Sequence, residues 1–391
     1  MKIPAALVLS ATLGLSAPAF AQQCGGDFGA WKNQVTQEAQ QAGIGQHGMA
    51  ALQGARIDQK VLARDRAQGV FNQTFTEFSG RMINSYRLKN GAGNIKKYGS
   101  VFAKAEADYG VPAAVITAFW ALETDFGAVQ GDFNTLNAII TLAHDCRRPE
   151  LFRPQIIPLL TLIDRGAVPA NVTGAWAGEI GQTQMLPSDI LTKGIDGDGD
   201  GRVDMKNSKP DVILTTANNI HSHGWQRGVP WMVEVRLTRD LPWEQTGLVN
   251  RLPVSQWASW GVTARDGGAL PGQNPKAGLV LPQGHKGPAF LVYPNYDLYL
   301  EWNQSLVYTL TAANLATRLA GAPKFDPRNP EAGLDTASMK RLQSTLEARG
   351  YDVGGADGIL GEKTRQAVRQ EQLRLGFPAD GWPTPALLAK L

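Results

Sequence analysis

The segment that most constrains this chain runs over residues 112–126, PAAVITAFWALETDF. Pro112 suits the first turn of a helix and Gly127 suits its end. Ile116, Phe119, Glu123 and Phe126 follow one another at +3, +4 and +3, so on a helix they share one face. Glu123 therefore stands where the pattern calls for an apolar residue. Apolar surroundings disfavour the charged carboxylate and raise its pKa. A raised carboxyl holds a proton at neutral pH and can act as a general acid. The plain alternatives are a surface Glu near a helix end, or a Glu paired with an Arg.

Glycoside hydrolysis normally uses two carboxyls. Asp125 is two residues on and points to another side of the helix. Asp132 lies in the following loop, and Glu179 sits in a Gly-rich segment with no evident role. One lone acid suits a reaction in which the substrate supplies its own nucleophile.

Residues 196–204, DGDGDGRVD, match the first half of an EF-hand loop. Asp196, Asp198 and Asp200 take positions one, three and five, Gly201 the sharp turn, and Arg202 offers a backbone carbonyl at seven. Position twelve is Asn207 instead of Glu, and Asp211 closes the shell if the loop is longer. The reading is a structural Ca²⁺ or Na⁺ site; the alternative is an acidic Gly-rich turn. Serine-hydrolase, zinc-protease and P-loop motifs are absent. A formal charge of +3 without a Lys/Arg block excludes a nucleic-acid tail.

The first residues set the compartment. Lys2, an apolar run over 5–15 and Ala19-Phe20-Ala21 read as a signal peptide over 1–21. That run is too short for a membrane span, and no later stretch reaches that length. In an oxidising compartment Cys24 and Cys146 are the one possible disulfide pair; two buried free thiols are the alternative. Residues 27–109 read as helical, with Phe71, Phe75 and Phe78 at helical spacing. Short apolar runs between Gly/Pro clusters mark a β-containing part at about 229–300. A helix over 304–319 follows, then a polar linker over 324–333 and a separate helical tail over 334–391.

These residues resemble a known family. Glu123-Thr-Asp-Phe-Gly127 is similar to the E-T/S-x-aromatic-G signature of lytic murein transglycosylases of the membrane-bound lytic transglycosylase B type. The resemblance continues through Gly131-Asp-Phe133, Asp145-Cys-Arg147-Arg148-Pro and Trp176-Ala-Gly-Glu-Ile-Gly181-Gln-Thr-Gln184-Met-Leu-Pro187-Ser188. It includes the Asp-rich loop, His223-Gly-Trp225, Asn295-Tyr296 and Asn303-Gln-Ser305, and spans residues 28–320. The tail resembles the three-helix peptidoglycan-binding domain, except that Glu371 stands where an aromatic is usual.

The resemblance implies a mainly α fold: a lysozyme-like core over 22–323 with a small β part and an EF-hand-like loop, plus a three-helix C-terminal domain. It implies cleavage of the β-1,4 bond between N-acetylmuramic acid and N-acetylglucosamine, with Glu123 as acid and base and 1,6-anhydro ends as product. It places Gln184, Gly181, Ser188, Tyr296, Trp302 and Asn303 at the substrate, and Arg147 and Arg148 against stem-peptide carboxylates. Asp196, Asp198, Asp200, Arg202 and Asp211 align with the metal loop. The periplasm of a Gram-negative bacterium is the implied location, and cell-wall synthesis or division proteins the class of protein partner. Ala175, Asn219 and Glu301 depart from the family's Ser, Tyr and Arg, which puts the saccharide subsites in question. A muramidase, or a wall-binding scaffold without turnover, are the competing readings.

Overall fold

The computed structural model describes residues 24–67 and 73–391. The proposed signal segment and Phe71 lie outside the described residues. Phe75 and Phe78 are buried in a helix over Phe75–Met82, which starts on a Thr74/Glu77 capping box.

The helix Ala113–Thr124 is the centre of the fold. Its residues 114–122 and Thr124 are buried, which an all-round apolar sequence demands. Helices Leu306–Leu319 and Ser85–Lys97 pack against it. Gly91 permits that approach: a Cβ there would lie 2.8 Å from Leu319 and 3.2 Å from Thr117.

The helix stops at Thr124, earlier than the periodicity predicts. Asp125 (φ 50°), Phe126 (φ 64°) and Gly127 (φ 91°) turn left-handed in succession. Two non-glycine residues in that region cost on the order of 1 kcal/mol or more each, so the surroundings must hold them. Arg87 forks onto Asp125 at 2.6 and 3.2 Å. The Thr124 hydroxyl donates to the Gln182 carbonyl and accepts from the Gly127 N–H. Phe126 thus leaves the helix face and meets Trp120 edge-on.

Seven short strands are present among the described residues: β1 Phe133–Asn134, β2 Thr173–Gly174, β3 Met232–Leu237, β4 Leu252–Pro253, β5 Val262–Ala264, β6 Lys276–Val280 and β7 Phe290–Val292. β1 and β2 pair alone; the others form one antiparallel sheet in the order β4-β6-β7-β3-β5. Its strands lie inside the predicted 229–300 interval. Trp257, Leu279, Leu291 and Tyr293 are among the residues that fill its own small core.

In the tail, helices Thr336–Ala348, Glu362–Leu375 and Pro385–Leu388 close over Met339, Leu342, Leu346, Val368 and Leu387. Glu371 is buried there without loosening the core, because Arg349, Arg374 and Tyr351 bind its carboxylate. Burial pushes that carboxyl up, but these hydrogen bonds and charges outweigh it and hold it low. The tail docks on the sheet region. Arg365 is buried and donates to the Pro282 carbonyl, and His285 pairs with the buried Asp380 at 2.6 Å. The polar segment 324–333 is also tied down, through Asp326 to Glu234 and Arg328 to the Gly287 carbonyl.

Cys24 and Cys146 form a disulfide, with Cα atoms 5.2 Å apart. No described helix is long and apolar enough to cross a membrane.

Candidate active site

Glu123 lies on the last turn of the central helix, where two aromatic donors meet it. Trp302 Nε1 donates to Glu123 Oε1 at 2.9 Å, and the Tyr308 hydroxyl donates to the same oxygen. Among the described residues no protein donor meets Oε2. Burial pushes the carboxyl above its usual range, and the bonds from Tyr308 and Trp302 only partly oppose this. The Tyr308 hydroxyl is pushed well up by burial and by Glu123, so it stays protonated and donates.

The two donors are placed by a short turn. Trp302 ends the helix Asp297–Trp302 and stacks on Phe119, one helical turn before Glu123, with centroids 4.2 Å apart. Asn303 Oδ1 accepts from the Ser305 N–H, and Ser305 caps the next helix by accepting from the Tyr308 N–H. Asn303 therefore shapes the turn between the two donors. Tyr296, expected at the substrate, is 0% exposed, and its hydroxyl bonds to Thr309. That corrects the expectation: the ring is buried against the Trp302 helix, stacked on its Tyr299.

A groove of about 240 Å³ is lined by Glu179, Gln184, Met185, Leu186, Asp189, Asn219 and others, including Glu301 and Trp302. Gln184 sits in it at φ 52°, on a tight turn closed by the Ile180–Met185 bridge. Gly181 makes that turn possible, because a Cβ there would stand 2.4 Å from the Met205 carbonyl oxygen. Buried Gln182 welds the turn to the central helix by accepting from Trp120 Nε1 at 2.9 Å. Ser188 is on the bordering helix Pro187–Lys193, beside Asp189, and its N–H donates to Gln155. Asn219 and Glu301, two of the three departures, line the groove; Ala175 braces the turn by donating to the Glu179 carbonyl.

Three acids, Glu179, Asp189 and Glu301, line the groove; of these Glu179 is the one whose charge Glu123 affects. The Glu179 carboxyl is pushed up to about 7, chiefly by burial and to a lesser degree by the nearby Glu123 charge, with its own backbone N–H and Arg148 opposing. Asp125 is bound by Arg87, and Asp132 is exposed. Arg147 and Arg148 both pair with buried Asp65, so their forks are partly neutralised; Arg147 remains 46% exposed.

In the Asp-rich loop, carboxylate oxygens of Asp196, Asp198 and Asp211 lie within 4.8 Å of one another. Buried Asp211 accepts the N–H groups of Gly197 and Asp204. Asp200 turns aside to accept from the Arg202 N–H. A larger and mostly apolar cavity of about 920 Å³ adjoins this loop. It shares no lining residue with the groove, and only the groove includes Trp302, the donor to Glu123, so volume does not select the site.

A lysozyme-like helical core with a buried acid at the end of its central helix, held by a residue that lines a groove, defines the class of glycan-cleaving enzymes. The chain belongs to the lytic murein transglycosylases: the family model described as Transglycosylase SLT domain matches residues 27–317. A second model, Putative peptidoglycan binding domain, matches residues 335–391. Membrane-bound lytic murein transglycosylase B of Escherichia coli K12 is 27% identical over 252 residues, 64% of this chain and 68% of that protein. The crystal structure of SltB3 from Pseudomonas aeruginosa with NAG-anhNAM-pentapeptide is 35% identical, covers 94% of this chain and 99% of that one, and has a TM-score of 0.86. The calcium complex of the Escherichia coli transglycosylase Slt35 is 26% identical, covers 76% and 96%, and has a TM-score of 0.62.

Proposed function

We propose that this enzyme, exported to the periplasm, cleaves the MurNAc–GlcNAc bond of peptidoglycan and leaves 1,6-anhydro-MurNAc ends, with Glu123 as acid and then base. The observation that carries the reading is the asymmetry of Glu123. Oε1 accepts from both Trp302 and Tyr308, so the proton resides on Oε2. Oε2–H protonates the glycosidic oxygen as the bond to C1 breaks. The resulting carboxylate takes the proton of the muramic C6 hydroxyl as that oxygen bonds to C1. An intramolecular hydroxyl has an effective molarity of about 10⁵–10⁸ M when well oriented, so no enzymic nucleophile is needed. The neighbouring carboxyls support this over a muramidase: Asp125 is tied to Arg87, and the Glu179 carboxyl, pushed up to about 7, is only about half ionised at neutral pH. Digesting purified sacculi and weighing the products tests it. Anhydro-muropeptides are expected; reducing ends in their place refute the reading.

Arg147, with Asp65 as its counter-ion, offers an exposed edge to stem-peptide carboxylates, and the tail holds the enzyme on the wall. The oxygen-only cluster of Asp196, Asp198 and Asp211 suits Ca²⁺, which takes several such ligands. Asp200 and the Arg202 carbonyl would complete the shell, and the ion would brace the loop against the groove turn through Met205. Chelation with EGTA is expected to lower the melting temperature by about 5 °C, since ligand at 100 times its Kd adds about 2.7 kcal/mol. Calcium should restore it; an unchanged transition with Ca²⁺, Na⁺ and EGTA means that the loop needs no cation.

A further inference from the structure

The Glu179 carboxyl takes a bond from its own backbone N–H, but its second oxygen has no partner. That oxygen, Oε2, is buried and without a hydrogen bond, although an unpaired buried polar atom is costly. The bonds that close the turn run through backbone: the Glu179 carbonyl accepts from the Ala175 N–H, and Ile180 pairs with Met185. The side chain cannot swing away freely. A Cβ on Gly178 would stand 2.5 Å from Ile139, and Ile180 is buried, so the flanking residues are packed inward and Glu179 faces the groove.

We propose that Glu179 is a substrate-binding acid which, as the neutral carboxylic acid, donates a hydrogen bond from Oε2 to an uncharged oxygen of the bound saccharide, an acetamido carbonyl or a ring hydroxyl. This deepens the transglycosylase reading and rests on it. A charged carboxylate here would accept only, and would stand beside the carboxylate that Glu123 becomes after its proton transfer. The other charged groups around it come from five segments of the chain. Glu123 and Arg148 act on it directly, Arg148 itself paired to Asp65. Asp189, neutralised by Lys193, and His223 and Glu301 line the same groove. Glu179 is an acid with a folded pKa of about 7, so its neutral form prevails below that pH and the donor is lost as pH rises through it.

The test separates KM from kcat across pH on soluble glycan strands. In the parent enzyme KM should rise about tenfold from pH 6 to pH 8, as one proton with a pKa near 7 is lost. Glu179→Ala should raise KM several-fold at pH 6 and abolish that rise. Glu179→Gln, whose amide donates at every pH, should return KM to near the parent's pH 6 value and hold it there to pH 8. A KM rise in E179Q equal to the parent's overturns the proposal. So does a hundredfold loss of kcat/KM in folded E179Q at pH 6. A second measurement does not depend on those variants. Calorimetry of E123Q with NAG-NAM-pentapeptide at pH 8, in two buffers of different ionisation enthalpy, should register uptake of close to one proton; none overturns the proposal. Product masses stay the separate check: reducing ends would refute the transglycosylase reading whatever KM does.

Discussion

Glu123→Gln is expected to lower the rate of anhydro-muropeptide formation by about 10³-fold, within the range of 10²–10⁴ typical of a lost general acid or base. Glutamine has the shape of the neutral acid, and its carbonyl can accept from Trp302 and Tyr308 as Oε1 does. The packing around it is therefore kept. What is lost is the transferable proton on the second atom, and with it both the departure of the leaving oxygen and the later removal of the C6 hydroxyl proton. Burial raises the native carboxyl, so its ionised form is disfavoured in the fold; an uncharged amide avoids that cost and should melt no lower than the parent. Rates on purified sacculi, with a thermal scan beside them, check both halves. Activity within tenfold of the parent at an unchanged melting temperature would remove Glu123 from the chemistry.

Glu123 was legible because a helix face written in Ile116 and Phe119 has no place for a carboxylate unless the site uses it. The strands at 229–300 were legible for a similar reason, as short apolar runs between turn residues. Other features depended on contacts far apart in the chain. Tyr308 lies 185 residues from Glu123, and nothing in its own helix separates a donor from a core tyrosine. Its position, one turn after Ser305, is the single local cue. Trp302 lines the groove, and its indole N–H also donates to Glu123, a contact that no local pattern gives. Tyr296 carries the same polar tip as Tyr308 but points at Thr309, and only three dimensions distinguish the two. Arg147 and Arg148 read as free cations because Asp65 is over eighty positions away. The early helix end at Thr124 has the same origin: Arg87 and Gln182 hold a left-handed turn that local propensity would not select.

Breaking the Cys24–Cys146 disulfide should have the largest effect on stability. The bond joins residues 122 apart in sequence, and in the chain-entropy model a loop of that length contributes about 5 kcal/mol. Its native surroundings agree with a firm anchor. The Gly25 N–H donates to the His144 carbonyl at 2.7 Å, and the Trp31 ring meets His144 edge-on. Beyond the bond, Arg147 and Arg148 turn back onto Asp65, so one short segment ties together the N-terminus, the helix Gln59–Arg66 and the helix Thr135–His144. Cys146→Ser is expected to lower the melting temperature by about 10 °C, taking roughly 2 °C per kcal/mol for a unit of this size. Neither Cys24 nor Cys146 lines the groove or touches Glu123, so turnover at 25 °C should stay within a few-fold of the parent. The bond, and not the thiol packing, is the source of the stability if Cys24→Ser, Cys146→Ser and the double variant melt together. A double variant that melts within 2 °C of the parent would show that the unfolded chain is little constrained by the closure. Singles that fall while the double recovers would instead assign the loss to an unpaired thiol.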